Sequence, residues 1–160
     1  SIGSFAREVN VMIDKFLTFY QQFNRDELAH LNQVYDTDIE FIDPLHQVNG
    51  LPQLTTYFEQ VMSNVSQCDF DILETLVEKQ AGCVSWNMRF KHHRLNQGNV
   101  ITVNGMSHIR WVRKIIYHRD YFDLGQMVYQ HIPLLKHGIN AVNNRLSKSN
   151  RLSKNSRSTK

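Results

Sequence analysis

His118, Arg119, Asp120 and Asp123 crowd around Tyr121 and Phe122 at the end of an apolar run, and Asp43 stands before Pro44 in an alternating stretch. Carboxylates and imidazoles are the side chains that most often move protons in catalysis, provided burial or a neighbour tunes them to the working pH. His118 and Asp120 are two positions apart, so on a strand they share one face with Phe122, while Arg119 and Tyr121 point the other way. Asp123, ahead of Leu124-Gly125, has the context of a turn residue. Other reactive residues do not gather. His92 and His93 are adjacent, so a strand sends them to opposite faces and they cannot easily hold one metal ion. Cys68 and Cys83 have no metal-ligand spacing, and no GxGxxG, P-loop or GxSxG string occurs. Neither a metal nor a cofactor is expected.

The elements that must carry these residues follow from hydrophobic period. Val9, Ile13, Phe16, Leu17 and Tyr20 recur at helical spacing. Asn24-Arg25-Asp26-Glu27 resembles a capping box, opening a second helix with Leu28, Leu31, Val34 and Tyr35 on its apolar side. Residues 38–43 alternate as a short strand that Pro44 stops. Gly50-Leu51-Pro52 opens a third helix, whose buried face is Leu54, Tyr57, Phe58, Val61 and Val65. After Ser66 the period becomes two: residues 68–78, 83–93, 99–112 and 114–123 are four long strands of an antiparallel meander. Leu134, Leu135, Ile139, Val142 and Leu146 suggest a short last helix. Helices followed by a meander make an α+β fold, with helices on one face of a curved sheet.

At 160 residues and 41% hydrophobic composition, one domain with its own core is expected, over residues 1–142. The formal charge of +3 is unevenly spread. Six of the 18 basic residues lie in 143–160 with no acid among them, leaving 12 against 15 acidic groups, a net −3, in residues 1–142. The basic tail, with RLSKSN followed by RLSKNS, is expected to be disordered. The acidic domain itself gives no sign of specific nucleic-acid binding. No run of 18 apolar residues spans a membrane, the first residues carry no apolar secretory core, and two unpaired thiols suit a reducing compartment; a cytoplasmic location is expected.

Two segments sharpen the fold. YDTDIEFIDPLHQVNGLPQLTTYF (35–58) and IIYHRDYFDLGQMVYQHIPLL (115–135) resemble the NTF2-like superfamily and, within it, the SnoaL-like branch related to limonene-epoxide hydrolases, polyketide cyclases and ketosteroid isomerases. The resemblance covers about residues 8–135. It implies a cone of three N-terminal helices on a strongly curved, mostly antiparallel sheet with a short C-terminal helix. The isomerases' general base corresponds to Asp43, but their oxyanion donors fall near Phe16, with Tyr20 one turn on, and at Ser107. The last acid of the epoxide hydrolases corresponds to Asp120, yet the other two catalytic positions are Met88 and Phe90, with Arg89 one residue off and so on the opposite face. Neither chemistry transfers intact.

If Asp43 and Asp120 point into the cone, alternation places Ile39, Phe41, Trp86, Met88, Phe90, Val103, Ser107, Ile109, Trp111, His118 and Phe122 inside with them. The expected site is an internal hydrophobic cavity for a small apolar or lipid-like molecule. Asp43, Asp120 and His118 are its candidate acid–base residues; Tyr20, Phe41, Trp86, Met88, Phe90, Ser107 and Phe122 are its candidate ligand contacts. The alternative is a non-catalytic binding or scaffold module that forms a homodimer through the outer sheet face, with Asn87, Arg89, Thr102, Asn104, Met106, His108 and Arg110.

Overall fold

The computed structural model of the chain describes residues 2–127, with side chains from Val11 onward. Helix α1, Ile2–Gln21, buries Met12, Ile13, Phe16, Phe19 and Tyr20, whose three- and four-residue spacing makes one apolar stripe. Asn24 then turns the chain: its Oδ1 accepts the N–H groups of Asp26 (2.8 Å) and Glu27 (3.1 Å), while the Glu27 carboxylate pairs with His30 (3.2 Å) instead of reaching back. The second helix is shorter than expected, a 3-10 turn, Asp26–His30, followed by a single α-turn, α2, Leu31–Val34.

Tyr35, expected on that helix, opens strand β1, Tyr35–Ile42. Ile39 and Phe41 are buried two apart, but Thr37 and Asp38 are both exposed. The pairing with the later strand Ile115–Phe122 shifts register between Tyr35 and Glu40, so Tyr35 is buried at an irregular start of the strand and not by strict alternation. Aromatic and β-branched residues in a row also favour the pleat. An unanticipated strand, β2, Gln47–Asn49, folds back on β1. Gly50 begins helix α3, Leu51–Met62, with φ +90°, a conformation that glycine adopts without a Cβ clash. On α3 the buried stripe is Leu54, Phe58 and Met62; its strict four-residue spacing leaves Val61, expected to be buried, exposed.

The long strands are β3, Val65–Glu78; β4, Ala81–His92; β5, Ile101–Trp111; and β6, Ile115–Phe122, followed by the short helix α4, Leu124–Met127. They form one six-stranded sheet in the order β2-β1-β6-β5-β4-β3. Every pairing is antiparallel except that of β1 with β6, which is parallel and sets Phe41 beside His118. The fold is therefore α+β, a curved and mostly antiparallel sheet with its helices on one side. The expected last helix, the boundary at residue 142 and the tail 143–160 lie outside the described residues.

One contact within the sheet bears directly on the interior. Trp86 on β4 faces Gly105 on β5, and the indole lies flat over the space where a side chain would begin. A Cβ at position 105 would sit 2.2 Å from the Trp86 ring. Gly105→Ala should therefore displace the indole and cost about 1–3 kcal/mol, the range for overpacking a core. Urea unfolding checks it; an unchanged midpoint would show that the ring has room to move.

Candidate functional site

Strand β6 delivers the two polar groups that matter most. His118 is fully buried at 0% exposure, and Asp120, two residues on along the same face, keeps 17% of its side chain accessible. Their neighbours come from three other elements. The register of β5 sets Ser107 opposite Asp120, β1 brings Tyr35, and α1 brings Tyr20. Trp86 reaches Ser107 from β4.

These side chains form one continuous hydrogen-bonded chain. Tyr20 Oη lies 2.6 Å from Tyr35 Oη, and Tyr35 Oη lies 2.7 Å from His118 Nδ1. His118 Nε2 is 2.7 Å from Asp120 Oδ1. From the other side, Trp86 Nε1–H donates to Ser107 Oγ (2.9 Å), and Ser107 donates to the same Asp120 Oδ1 (2.5 Å). An indole can only donate, so Ser107 accepts from Trp86 and its single proton goes to the carboxylate. The other arm satisfies every group when Tyr20 donates to Tyr35, Tyr35 to Nδ1, and His118 donates from Nε2. Both arms then converge on one oxygen. Burial pushes the Tyr20 and Tyr35 hydroxyls well above the ordinary phenol range, reinforced at Tyr20 by the charge of Asp120, so both stay protonated.

Aromatic rings enclose the chain. Phe16, Tyr20 and Phe41 approach the imidazole edge-on at 5.5, 5.9 and 4.9 Å, and the Tyr35 ring stacks on it at 5.9 Å. The space left over is small: a cavity of about 10 Å³ lined by Phe16, Tyr20, Phe70, Ile72, Trp86, Ser107 and Asp120. That admits one water-sized group. The lipid-sized interior expected from the sequence is filled by these rings, because they interlock across the narrow space between α1 and the sheet.

Of the sequence-derived candidates, the fold brings together Asp120, His118, Tyr20, Ser107 and Trp86. Phe41 packs on His118 without lining the cavity. Met88 and Phe122 are half-buried, and Phe90 packs with Ile101 and Val103 in a separate cluster. Asp43 is elsewhere. Its Oδ1 accepts the N–H groups of Leu45 (2.7 Å) and His46 (2.8 Å), and its Oδ2 accepts the Tyr57 hydroxyl, so it closes the turn between β1 and β2. Burial, then the bond to Asp43, pushes the Tyr57 hydroxyl upward.

Tyr35, Phe16, Phe70 and Ile72 were not among those candidates. For Tyr35 the signal was an aromatic residue directly ahead of the alternating stretch 38–43, though the exposed Thr37 breaks the period between them; for Phe70 and Ile72 it was their place on the inner face of β3, with Cys68. Burial holds the Cys68 thiol up to about 12, so it is not a thiolate nucleophile. His92 and His93 stay apart from the site; His92 accepts the N–H of Arg94 (3.1 Å), and burial lowers its proton affinity. Among the described residues, no three His, Cys, Asp or Glu side chains come together as they would around a metal ion.

Comparison with known proteins agrees with this architecture. The family model for the SnoaL-like domain matches residues 16–118. No curated protein matches the chain. Among solved structures, a protein described as a SnoaL-like polyketide cyclase from Jannaschia sp. CCS1 superposes with a TM-score of 0.64 at 13% identity, covering 76% of this chain and 90% of that one. An NTF2-like protein of unknown function from Burkholderia pseudomallei K96243 gives 0.67 at 14% identity, covering 76% and 97%. A protein with a ketosteroid isomerase-like fold from Catenulispora acidiphila DSM 44928, solved in complex with trimethylamine, gives 0.63 at 11% identity, covering 75% and 90%. At these identities the likeness is one of fold.

The hydrogen-bonded chain has a stability consequence. Tyr35→Phe leaves the Tyr20 hydroxyl and His118 Nδ1 without their partner, at about 1–3 kcal/mol for each buried group left unpaired. Tyr121→Phe, on the exposed face, should change stability by less than about 0.5 kcal/mol. Urea unfolding at neutral pH measures both; equal midpoints for the two variants would show that the Tyr35 hydroxyl is not bonded in solution.

Proposed function

Because the chain belongs to the SnoaL-like domain family, we propose that it takes a small molecule with an apolar body into its aromatic-walled interior and moves a proton there without a cofactor. Asp120 is the acid–base group and His118 its partner. The observation that carries this reading is the convergence of two donors on Oδ1 of Asp120, which leaves Oδ2 without a hydrogen bond among the described residues where Asp120 lines the cavity. A carboxylate anchored through one oxygen and free at the other is oriented to accept or return a proton. Fold alone does not assign a reaction in this superfamily; the chemistry of the site has to.

The small cavity bears on ligand size. The trimethylamine bound by the Catenulispora protein has few atoms, and a ligand of that scale asks less of the packed rings here than a lipid would. Phe41, Met88, Phe90 and Phe122 belong to the proposal only as wall residues that would be reached if the interior opened. Asp43 has both oxygens engaged and supports the turn, so it stands outside the proposed chemistry.

A second reading, a dimeric binding module, is favoured by the outer sheet face. Met106 and Tyr121 pair across β5 and β6 there and are 40% and 45% exposed. Arg119 lies over the Tyr121 ring at 4.9 Å and Arg110 over Tyr117 at 4.3 Å, a mixed apolar and cationic surface suited to a partner. The two free thiols, Cys68 and Cys83, support a cytoplasmic location. No described helix is long and apolar enough to cross a membrane.

Two measurements separate these readings. For the first, small carbon acids such as cyclic ketones are incubated with the protein in D2O and exchange is followed by mass. Asp120→Asn should lower any protein-dependent exchange by about 100-fold or more, the usual contribution of a general base; exchange that survives the substitution would remove Asp120 from the mechanism. For the second, sedimentation at micromolar concentration should show a dimer that Met106→Glu dissociates. A monomer in the unsubstituted protein would sink the dimer.

A further inference from the structure

The directions of the hydrogen bonds around the cavity define what it can accept. Trp86 gives its N–H to Ser107, and Ser107 gives its only proton to Asp120 Oδ1. In the arrangement that satisfies every group, His118 gives Nε2–H to the same oxygen, Tyr35 gives its proton to Nδ1, and Tyr20 gives its own to Tyr35. Reversing the tyrosine arm, with His118 doubly protonated, would leave the buried Tyr20 O–H with no acceptor assigned among the described residues, a desolvation cost that favours the first arrangement. In the favoured arrangement every donor at the cavity is already used. The lining includes Asp120, whose Oδ2 makes no hydrogen bond among the described residues, Tyr20, whose Oη keeps a free lone pair, and the rings of Phe16, Phe70 and Trp86.

All of these are electron-rich. A carbonyl or an oxyanion entering this space would lose its hydrogen bonds to water and find no donor in exchange. A protonated amine would meet a carboxylate oxygen for a charge-assisted bond, a phenol oxygen for a second, and ring faces that attract a cation. It would also bring a positive charge to a mostly buried carboxylate.

We infer that the ligand's polar head is a small protonated amine, held by Asp120 Oδ2 and Tyr20 Oη inside the box of Phe16, Phe70 and Trp86. This rests on the reading that the interior is a binding site, though not on any reaction taking place there. The present space of about 10 Å³ fits the ammonium head alone. An alkyl group would part Phe70 and Ile72, which are half-buried on the edge strand β3, next to the irregular pairing between Ile72 and Glu74. Such an irregularity leaves that stretch of strand less tightly tied to its neighbour.

The test is a titration of the full chain with methylammonium chloride, followed by NMR on the Trp86 indole N–H and the His118 ring nitrogens. Sodium chloride at equal ionic strength, methanol and sodium formate serve as comparisons. Saturable shifts are expected for methylammonium alone, with a Kd of about 10 mM, near the ceiling for a ligand of two non-hydrogen atoms. Butylammonium should bind more tightly because its chain buries more apolar surface. Asp120→Asn should weaken binding by about tenfold or more, the loss of one charge-assisted bond, and the exposed Asp71→Asn should leave it unchanged. Equal shifts with sodium, saturation by methanol or formate, or full binding in Asp120→Asn would overturn the inference. If Asp120→Asn fails to fold, the comparison of methylammonium with methanol on the unsubstituted protein decides alone. Failure here with Asp120-dependent exchange intact removes the amine and keeps the proposed chemistry; saturable methylammonium binding without any exchange does the reverse.

Discussion

A fully buried imidazole has to find a partner for each ring nitrogen, and His118 finds both. An unmet nitrogen at that depth would cost more than most single contacts return, so the requirement constrains everything around it. Tyr35 must lie on a strand adjacent to β6, which the parallel β1–β6 pairing provides. Asp120 must share the face of His118, which the two-residue step guarantees. Ser107 must stand across from Asp120 and Trp86 must reach Ser107, which the registers of β4, β5 and β6 and the bare backbone at Gly105 together allow.

Two aspartates in similar strand-end contexts end up with different roles because of how their oxygens are occupied. Asp43 is saturated by backbone N–H groups and Tyr57, which makes it an architectural residue holding the β1–β2 turn. Asp120 receives two donors on one oxygen and none on the other among the described residues. Facing direction alone does not distinguish them; the count of donors within reach does. By the same count, Ser107 accepts from Trp86 and spends its single proton on Asp120.

Much of this was legible in the sequence. The change of period after Ser66 marks the long strands to within about three residues, and alternation in HRDYFDLG separates His118 and Asp120 from Arg119 and Tyr121. Three things were not. Tyr35 satisfies a helical spacing with Leu31 as well as a strand spacing with Thr37 and Ile39, and the choice depends on β6 being there to pair with. Met88 and Phe90 lie on the inner side of β4 by period, yet strand position does not say which cluster a side chain joins. The volume of the interior depends on how Phe16, Tyr20, Phe70 and Trp86 interlock across three elements, a property of packing that no one-dimensional pattern records.

The bond between Tyr35 and His118 joins residues 83 positions apart, and it does so through the one parallel pairing among the described strands. Loop closure over that span is entropically unfavourable until nearly all of the intervening hairpins have formed. During synthesis the helices and β1 leave the ribosome first, and their two tyrosines must wait in a wet, half-formed cleft until β6 arrives. The buried hydrogen-bonded chain around His118 therefore becomes dry late in folding. A chain halted before β6 would lack both His118 and the strand that covers the inner edge of β1.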